Sequence, residues 1–274
     1  GDYARPEGSL EPWGNVVTLG GASLLLGGAV APLTMAGAVA QSLAESMVGC
    51  ALTQLVRPGA PAVLAGVLSS MSLRSGSPPF GTPEPALGSL VLGQLARRLG
   101  LPLRCAGNFS TSKRPDGQAM QQAMMSMLSA VQCGANYILH SAGFLDGLLS
   151  MSYEKFVMDC DMCGALHAYL GGVEVSDDSL GVEALAQYGP GEHLFGTDHT
   201  LRHYQTAYWD SGLNDDQPWE TWDEQGAEDY AVRANARWKQ LLHDYQAPPL
   251  DFDTDMALRD FIAREKASKE DMWY

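Results

Sequence analysis

The stretch that most constrains this chain runs from Gly14 to Ala44 without one charged residue, and Gly20-Gly21, Gly27-Gly28 and Pro32 cut it into short apolar pieces. A membrane-spanning helix of that length would be continuous and flanked by basic residues, and this stretch is neither. The pieces read instead as a buried strand feeding a buried helix. Leu24–Val30 is the strand, Thr34 stands where a hydroxyl can cap a helix, and Met35 to Val56 carries the helix as far as Pro58-Gly59. Ala62–Leu68 then reads as the next strand, which makes a βαβ unit with a parallel pair.

The same rhythm recurs. Thr82-Pro83-Glu84 opens a second helix, with Thr82 as cap, Pro83 at the first helical position and Glu84 at the positive end of the dipole; Gly100 closes it. Leu101 to Ala106 is a third strand, followed by a Met-rich helix from Gln118 to Gln132. Asn136–Ser141 is a fourth strand, followed by a helix from Tyr153 to Tyr169. Val16 to Leu19 forms a short strand ahead of the first unit, either as a hairpin with it or as one bent approach. Consecutive strand–helix repeats with apolar strands imply an α/β fold with a covered parallel sheet, either open or part of a barrel. A complete (β/α)8 barrel takes about 250 residues. Here residues 1–175 hold about four units, which is half a barrel. Residues 176–274 form a helical extension with 21 Asp/Glu against 8 Lys/Arg and five of the six tryptophans. Its expected helices are Leu180 to Tyr188, Asp198 to Tyr208, Asp223 to Tyr245 and Asp255 to Lys269, wrapping the α/β part with tryptophans as anchors.

Charge bounds the partners. A net charge of -15 over 274 residues, with no Lys/Arg-rich run, repels phosphate backbones and anionic lipid, so neither nucleic acid nor membrane is expected as a partner. Five cysteines, mostly in apolar contexts, suit reduced thiols in the cytoplasm. No Gly-x-Gly-x-x-Gly follows a strand, and neither a Gly-x4-Gly-Lys-Ser/Thr loop nor a Gly-x-Ser-x-Gly elbow occurs. Cys160-x-x-Cys163 supplies two of the four ligands of a structural zinc, and Asp198-His199 with His203 reads as a capped helix start, with His203 packed on Tyr204 or Trp209. No metal site is expected.

Chemistry in such a fold gathers at the carboxyl ends of the strands. The residues there are Ser69, Ser70, Asn108, Phe109, His140, Ser141 and Phe144, while Glu84 and Tyr153 open the following helices at the same mouth. Asn108, His140 and Phe144 are expected to converge on one cavity within reach of Glu84 or Tyr153. Individual catalytic residues cannot be assigned from these positions.

Several stretches taken together resemble the trimethylamine methyltransferase family of corrinoid-dependent methyltransferases, in its C-terminal half. They are Ala31-Pro-Leu-Thr-Met-Ala-Gly37, Gln54-Leu-Val-Arg-Pro-Gly-Ala-Pro61, Gly81-Thr-Pro-Glu84, Ser112-Lys-Arg-Pro-Asp-Gly-Gln118, Ser152-Tyr-Glu-Lys155 and Gly196-Thr-Asp-His-Thr-Leu-Arg-His-Tyr204. The resemblance implies a (β/α)8 barrel of which this chain supplies the last strands and terminal helices. It also implies methyl transfer from a methylated amine to the cobalt of a corrinoid (cobalamin) carried on a separate protein, with no cofactor held tightly by this chain. The trimethylamine enzymes use pyrrolysine, which is absent here; the loop Gly107 to Lys113 is where its replacement is sought. A quaternary substrate such as glycine betaine needs no such residue, because its nitrogen cannot lose its positive charge. Glu84, Asn108, Phe109, His140, Phe144 and Tyr153 are then the substrate-binding candidates, with aromatic faces for the N-methyl groups. The competing reading is a non-catalytic module that binds a quaternary amine or a corrinoid protein. A half-barrel leaves open strand edges, so a homo-oligomer, or pairing with an N-terminal half, is expected.

Overall fold

The computed structural model describes residues 18–19 and 23–269. Strands β1 (Thr18–Leu19) and β2 (Ser23–Gly27) both pair parallel with β3 (Ala62–Ser70), so they approach it in one direction and do not form a hairpin. β3 pairs parallel with β4 (Leu103–Ala106), and β4 with β5 (Tyr137–Leu139). The result is an α/β arrangement with one parallel sheet. The expected strand Val16 to Leu19 lies partly outside the described residues. The other strands fall near where expected, but β2 stops at Gly27 and not Val30, β3 runs on to Ser70, β4 starts at Leu103 and not Leu101, and β5 covers only Tyr137–Leu139.

Helices α1 (Met35–Val56), α2 (Pro83–Leu99), α3 (Gly117–Gln132) and α4 (Tyr153–Leu170) follow β2, β3, β4 and β5 in turn. Alternation along the strands decides what they cover. Leu64 and Leu68 of β3 and Leu103 and Cys105 of β4 point to the helices, and pack with Ala96 and Leu92 of α2, Ala38 and Val39 of α1, and Ala130 of α3. Burying one such leucine is worth about 1.5–3 kcal/mol. Gly66 marks how close the layers come, since a Cβ there would stand 2.8 Å from Leu92 Cδ1 and 2.9 Å from Ser42 Oγ. Among the described residues α1 is the helix long and apolar enough to cross a membrane by length and composition. Its Ala38 and Val39 are core residues on β3, which places it in the α/β layers of this fold.

Two of the expected caps work differently. Neither Thr34 nor Thr82 makes a side-chain cap bond; the Thr82 hydroxyl donates backwards to the Pro79 carbonyl (3.3 Å). Pro83 does open α2, and Gly100 closes it in the left-handed region (φ 67). α3 is capped by Asp116, which accepts from the Ala119 N–H at 2.9 Å. Between β5 and α4 the chain makes a small antiparallel hairpin, β6 (Phe144–Leu145) with β7 (Ser150–Met151), around a 3-10 turn at Asp146–Leu148.

Beyond α4 come the short helices α5 (Asp177–Leu180), α6 (Val182–Gln187), α7 (Asp198–His203) and α8 (Trp219–Glu224), then α9 (Tyr230–Asp244) and α10 (Phe252–Ser268). The acidic segment is more broken than its composition suggests, because Gly181 takes a left-handed turn (φ 60) and Gly226 another positive φ (105). Thr197 caps α7, while His203 does not pack on Tyr204 or Trp209: its Nε2 meets Asp178 Oδ2 at 2.8 Å, and its ring lies 4.6 Å from that of His199. The described residues up to Trp238 form one compact unit and those from Lys239 a second; the second carries α10, whose Asp251 cap accepts from Thr254 N–H at 2.9 Å.

Candidate active site

Aromatic side chains meet where β4 and β5 end. The strand exits stay side by side because the Gly107 N–H donates to the Leu139 carbonyl (2.8 Å) and the Asn108 N–H to the His140 carbonyl (2.9 Å). The Phe109 ring lies 5.0 Å from Phe80 and 5.3 Å from His140, and His140 stands edge-on to Phe144 at 5.2 Å. Three phenyl rings and an imidazole in sequence are the kind of surface that attracts a cation without needing to hydrogen-bond it.

The loop carrying Phe109 is held rigid. Gln122 Oε1 accepts from Ser110 Oγ (3.0 Å) and from the Thr111 N–H (2.9 Å), and the N–H groups of Asp146 and Gly147 donate to the Ser112 and Ser110 carbonyls, both at 2.8 Å. Lys113 and Asp146 form an ion pair at 2.9 Å on its outer side. The loop from Gly107 to Lys113 is thus pinned to α3 and to the β6–β7 turn.

Three buried polar atoms of β4 and of the segments that follow β4 and β5 have no hydrogen-bond partner: Arg104 Nε, Asn108 Oδ1 and His140 Nδ1. Each such atom costs about 1–3 kcal/mol, so three in one region point to groups built for something that binds there. Asn108 is fully buried; its Nδ2 donates to the Ser141 carbonyl and lies 4.0 Å from Cys163 Sγ. His140 sits at φ 57, a region a histidine rarely adopts. Its pKa is lowered, first by burial and then by the positive charge of Arg104. Arg104 is 8% exposed and alternates with Leu103 and Cys105, so it projects from the face of β4 opposite the helices.

The candidates named from sequence are not all brought together. Phe109, His140 and Phe144 meet ring to ring, whereas the Asn108 side chain turns to the Ser141 carbonyl and to Cys163 of α4. Glu84 is exposed in the first turn of α2, and Tyr153 is 63% exposed and stacks at 4.9 Å on Trp238, so these two are not brought to the cluster. Ser69 is buried at the end of β3, with its hydroxyl 3.4 Å from the Ser70 carbonyl, and Ser141 Oγ donates to the Ile138 carbonyl at 3.1 Å. Arg104 and Phe80 escaped the sequence reading. The signal for Arg104 was a guanidinium inside the apolar run Leu101 to Ala106; Phe80 stood in a loop between Pro79 and Gly81, where nothing in the pattern marks it.

Away from these residues, a cavity of about 750 Å3 is lined by Met120, Met124, Met158, Met162, Trp209 and Tyr230 among others. None of the three unpartnered atoms lines it.

The family described as trimethylamine methyltransferase (MTTB) matches residues 16–270. A glycine betaine methyltransferase of Desulfitobacterium hafniense is 36% identical over 243 residues, covering 89% of this chain and 50% of that protein. Trimethylamine methyltransferase MttB2 of Methanosarcina mazei is 32% identical over 233 residues, covering 84% of this chain and 46% of that protein. The chain thus spans about half the length of the curated relatives it matches. With nearly every residue inside the family match, the chain belongs to the trimethylamine methyltransferase family.

Proposed function

We propose that this chain is the C-terminal half of a (β/α)8-type methyltransferase that takes a methyl group from a quaternary amine bearing a carboxylate, such as glycine betaine, and passes it to the corrinoid of a partner protein. The observation that carries this reading is the run of rings Phe109–His140–Phe144, with the half-buried His140 close enough to the buried Arg104 to feel its charge and each of the two keeping an unpartnered nitrogen. A betaine has the matching ends. Its trimethylammonium group suits aromatic faces, and its carboxylate suits a guanidinium, whose donors fit carboxylate geometry. The greater similarity to a glycine betaine enzyme points the same way.

The corrinoid, as co-substrate on its own protein, supplies the nucleophile. This chain's part is to bind and orient. The methyl carbon–nitrogen bond breaks, its electron pair stays on nitrogen, and the product is a neutral tertiary amine; no proton has to move. Arg104 holds the carboxylate end, and His140, kept neutral by burial and by Arg104, can donate one N–H to it without adding a second charge beside the ammonium. Phe109 and Phe144 hold the methyl groups and keep water from the nitrogen, so the gain is one of orientation and desolvation. Five free thiols fit a reducing compartment such as the cytoplasm.

The test is to mix the chain with glycine betaine, a corrinoid protein and reduced cobalamin, and to follow dimethylglycine by proton NMR. Dimethylglycine formed in step with lost glycine betaine supports the enzyme reading. Saturable binding without product overturns it in favour of a binding module, and absence of binding overturns the substrate.

A further inference from the structure

We propose that Lys155 and Asp159 of α4 are positioning residues that hold the turn presenting His140 and Phe144, an inference that rests on the reading of that site given above. Both side chains are 0% exposed, one helical turn apart, and ion-paired. An ion pair wholly out of water is a poor way to fill a helix–sheet interface, since an apolar pair of similar volume serves as well or better. What this pair does that an apolar one cannot is accept a hydrogen bond. Asp159 Oδ2 takes the Gly143 N–H at 2.8 Å, and Lys155 Nζ, 2.5 Å from the same oxygen, neutralises the carboxylate that does so.

The turn needs holding. His140 has φ 57 and Gly143 φ 91, and residues kept in such conformations persist where the surroundings over-determine them. α4 grips this turn at three points. Besides Asp159 on Gly143 N–H, the Ser152 N–H donates to the Gly143 carbonyl (3.1 Å), and the Cys163 thiol points to the Ser141 carbonyl (3.7 Å). Asn108 adds a fourth hold from β4 by donating to that same Ser141 carbonyl. The ion pair touches none of the reacting groups; it acts through Gly143 on the two residues flanking the turn.

The experiment compares the wild type with Lys155→Met/Asp159→Leu, which keeps the volume and removes the acceptor, and with Asp159→Asn, which keeps an oxygen for Gly143. Glycine-labelled protein reads hydrogen exchange at the Gly143 amide, and histidine-labelled protein reads the titration of His140. In the folded double variant Gly143 exchange is expected to rise at least tenfold and the His140 pKa to move toward the ordinary histidine value. Asp159→Asn is expected to restore most of the protection. Unchanged Gly143 exchange and His140 titration in the folded double variant overturn the proposal. Should that variant not fold, an Asp159→Asn protein that loses Gly143 protection as fully as Asp159→Leu alone overturns it instead. With glycine betaine, KM is expected to rise more than kcat falls. If neither protein binds glycine betaine but the two NMR signals move as stated, the substrate reading fails and the positioning role stands.

Discussion

Arg104 of β4 and His140, just past the end of β5, interact through charge: the guanidinium helps hold the imidazole neutral, and each residue keeps one buried nitrogen without a hydrogen-bond partner. A guanidinium and a neutral imidazole, each with an open nitrogen, suit an anion better than they suit each other. A carboxylate would satisfy both open nitrogens, and the same relationship leads to a pH dependence.

An unperturbed imidazole titrates near ~6.5, and burial and Arg104 lower that of His140 in the folded chain. Below about pH 6.5 the unfolded chain then binds the proton more readily than the folded one, so this group's contribution to stability falls as pH drops through that value toward the folded pKa. Thermal midpoints measured from pH 7.5 to 5 are expected to fall more steeply for the wild type than for His140→Gln. Parallel curves would count against a buried neutral imidazole.

Glu154 has the same sign in a lower pH window, although here it is the charged form that the fold favours. Its carboxyl is held down to about 2, chiefly by the Ser152 hydroxyl (2.7 Å) and further by Asn235 and the Trp238 indole N–H (2.9 Å). Its contribution to stability is present above the ordinary value of 4.5 and is lost as pH falls through the folded one. Ser152→Ala is expected to cost about 1 kcal/mol through the lost helix cap, and to flatten the acid limb of the stability curve between those two values. An acid limb identical to the wild type's would contradict the assignment.

Removing one partner of the Lys155–Asp159 pair strands a charge in the core. Asp159→Leu or Lys155→Met alone is expected to lose about 3–5 kcal/mol in urea denaturation, whereas the double substitution is close to neutral. Additive losses in the double variant would show that the two side chains do not act as a pair.

Sheet edges predict association. Among the described strands β5 pairs with β4 alone, and its Tyr137 is an exposed aromatic beside the buried Arg104 in register. Open parallel edges invite a further strand or a second copy. Light scattering at micromolar concentration is expected to show a homo-oligomer; a stable monomer would contradict that.

Much of this fold was legible in the residues, and what was hidden was hidden for physical reasons. Met35–Val56 reads as a helix to the residue because Pro32 and Pro58 bracket it. β5 ends early because the chain turns out of the ladder at His140, and local patterns do not register such a departure. Phe109, His140 and Phe144 could be named because strand ends are where this architecture gathers function. Arg104 was passed over because the strand around it is apolar and the pattern rule carries past a single charge. Lys155 and Asp159 look like an ordinary solvent-facing i,i+4 pair, and only three-dimensional packing shows them dry. Glu84 and Tyr153 sit at helix starts as expected, but a helix start does not say which way its first side chains turn.

If Arg104 holds a carboxylate while the aromatic cluster holds a quaternary nitrogen, calorimetric titration of two ligands against two proteins separates the two contacts. Glycine betaine carries both groups and tetramethylammonium only the second. A charged hydrogen bond is worth about 1.5–3 kcal/mol, so Arg104→Met is expected to weaken glycine betaine about 10- to 100-fold and to leave tetramethylammonium nearly unchanged. Equal weakening of both ligands, or glycine betaine binding that survives the substitution intact, would contradict the account.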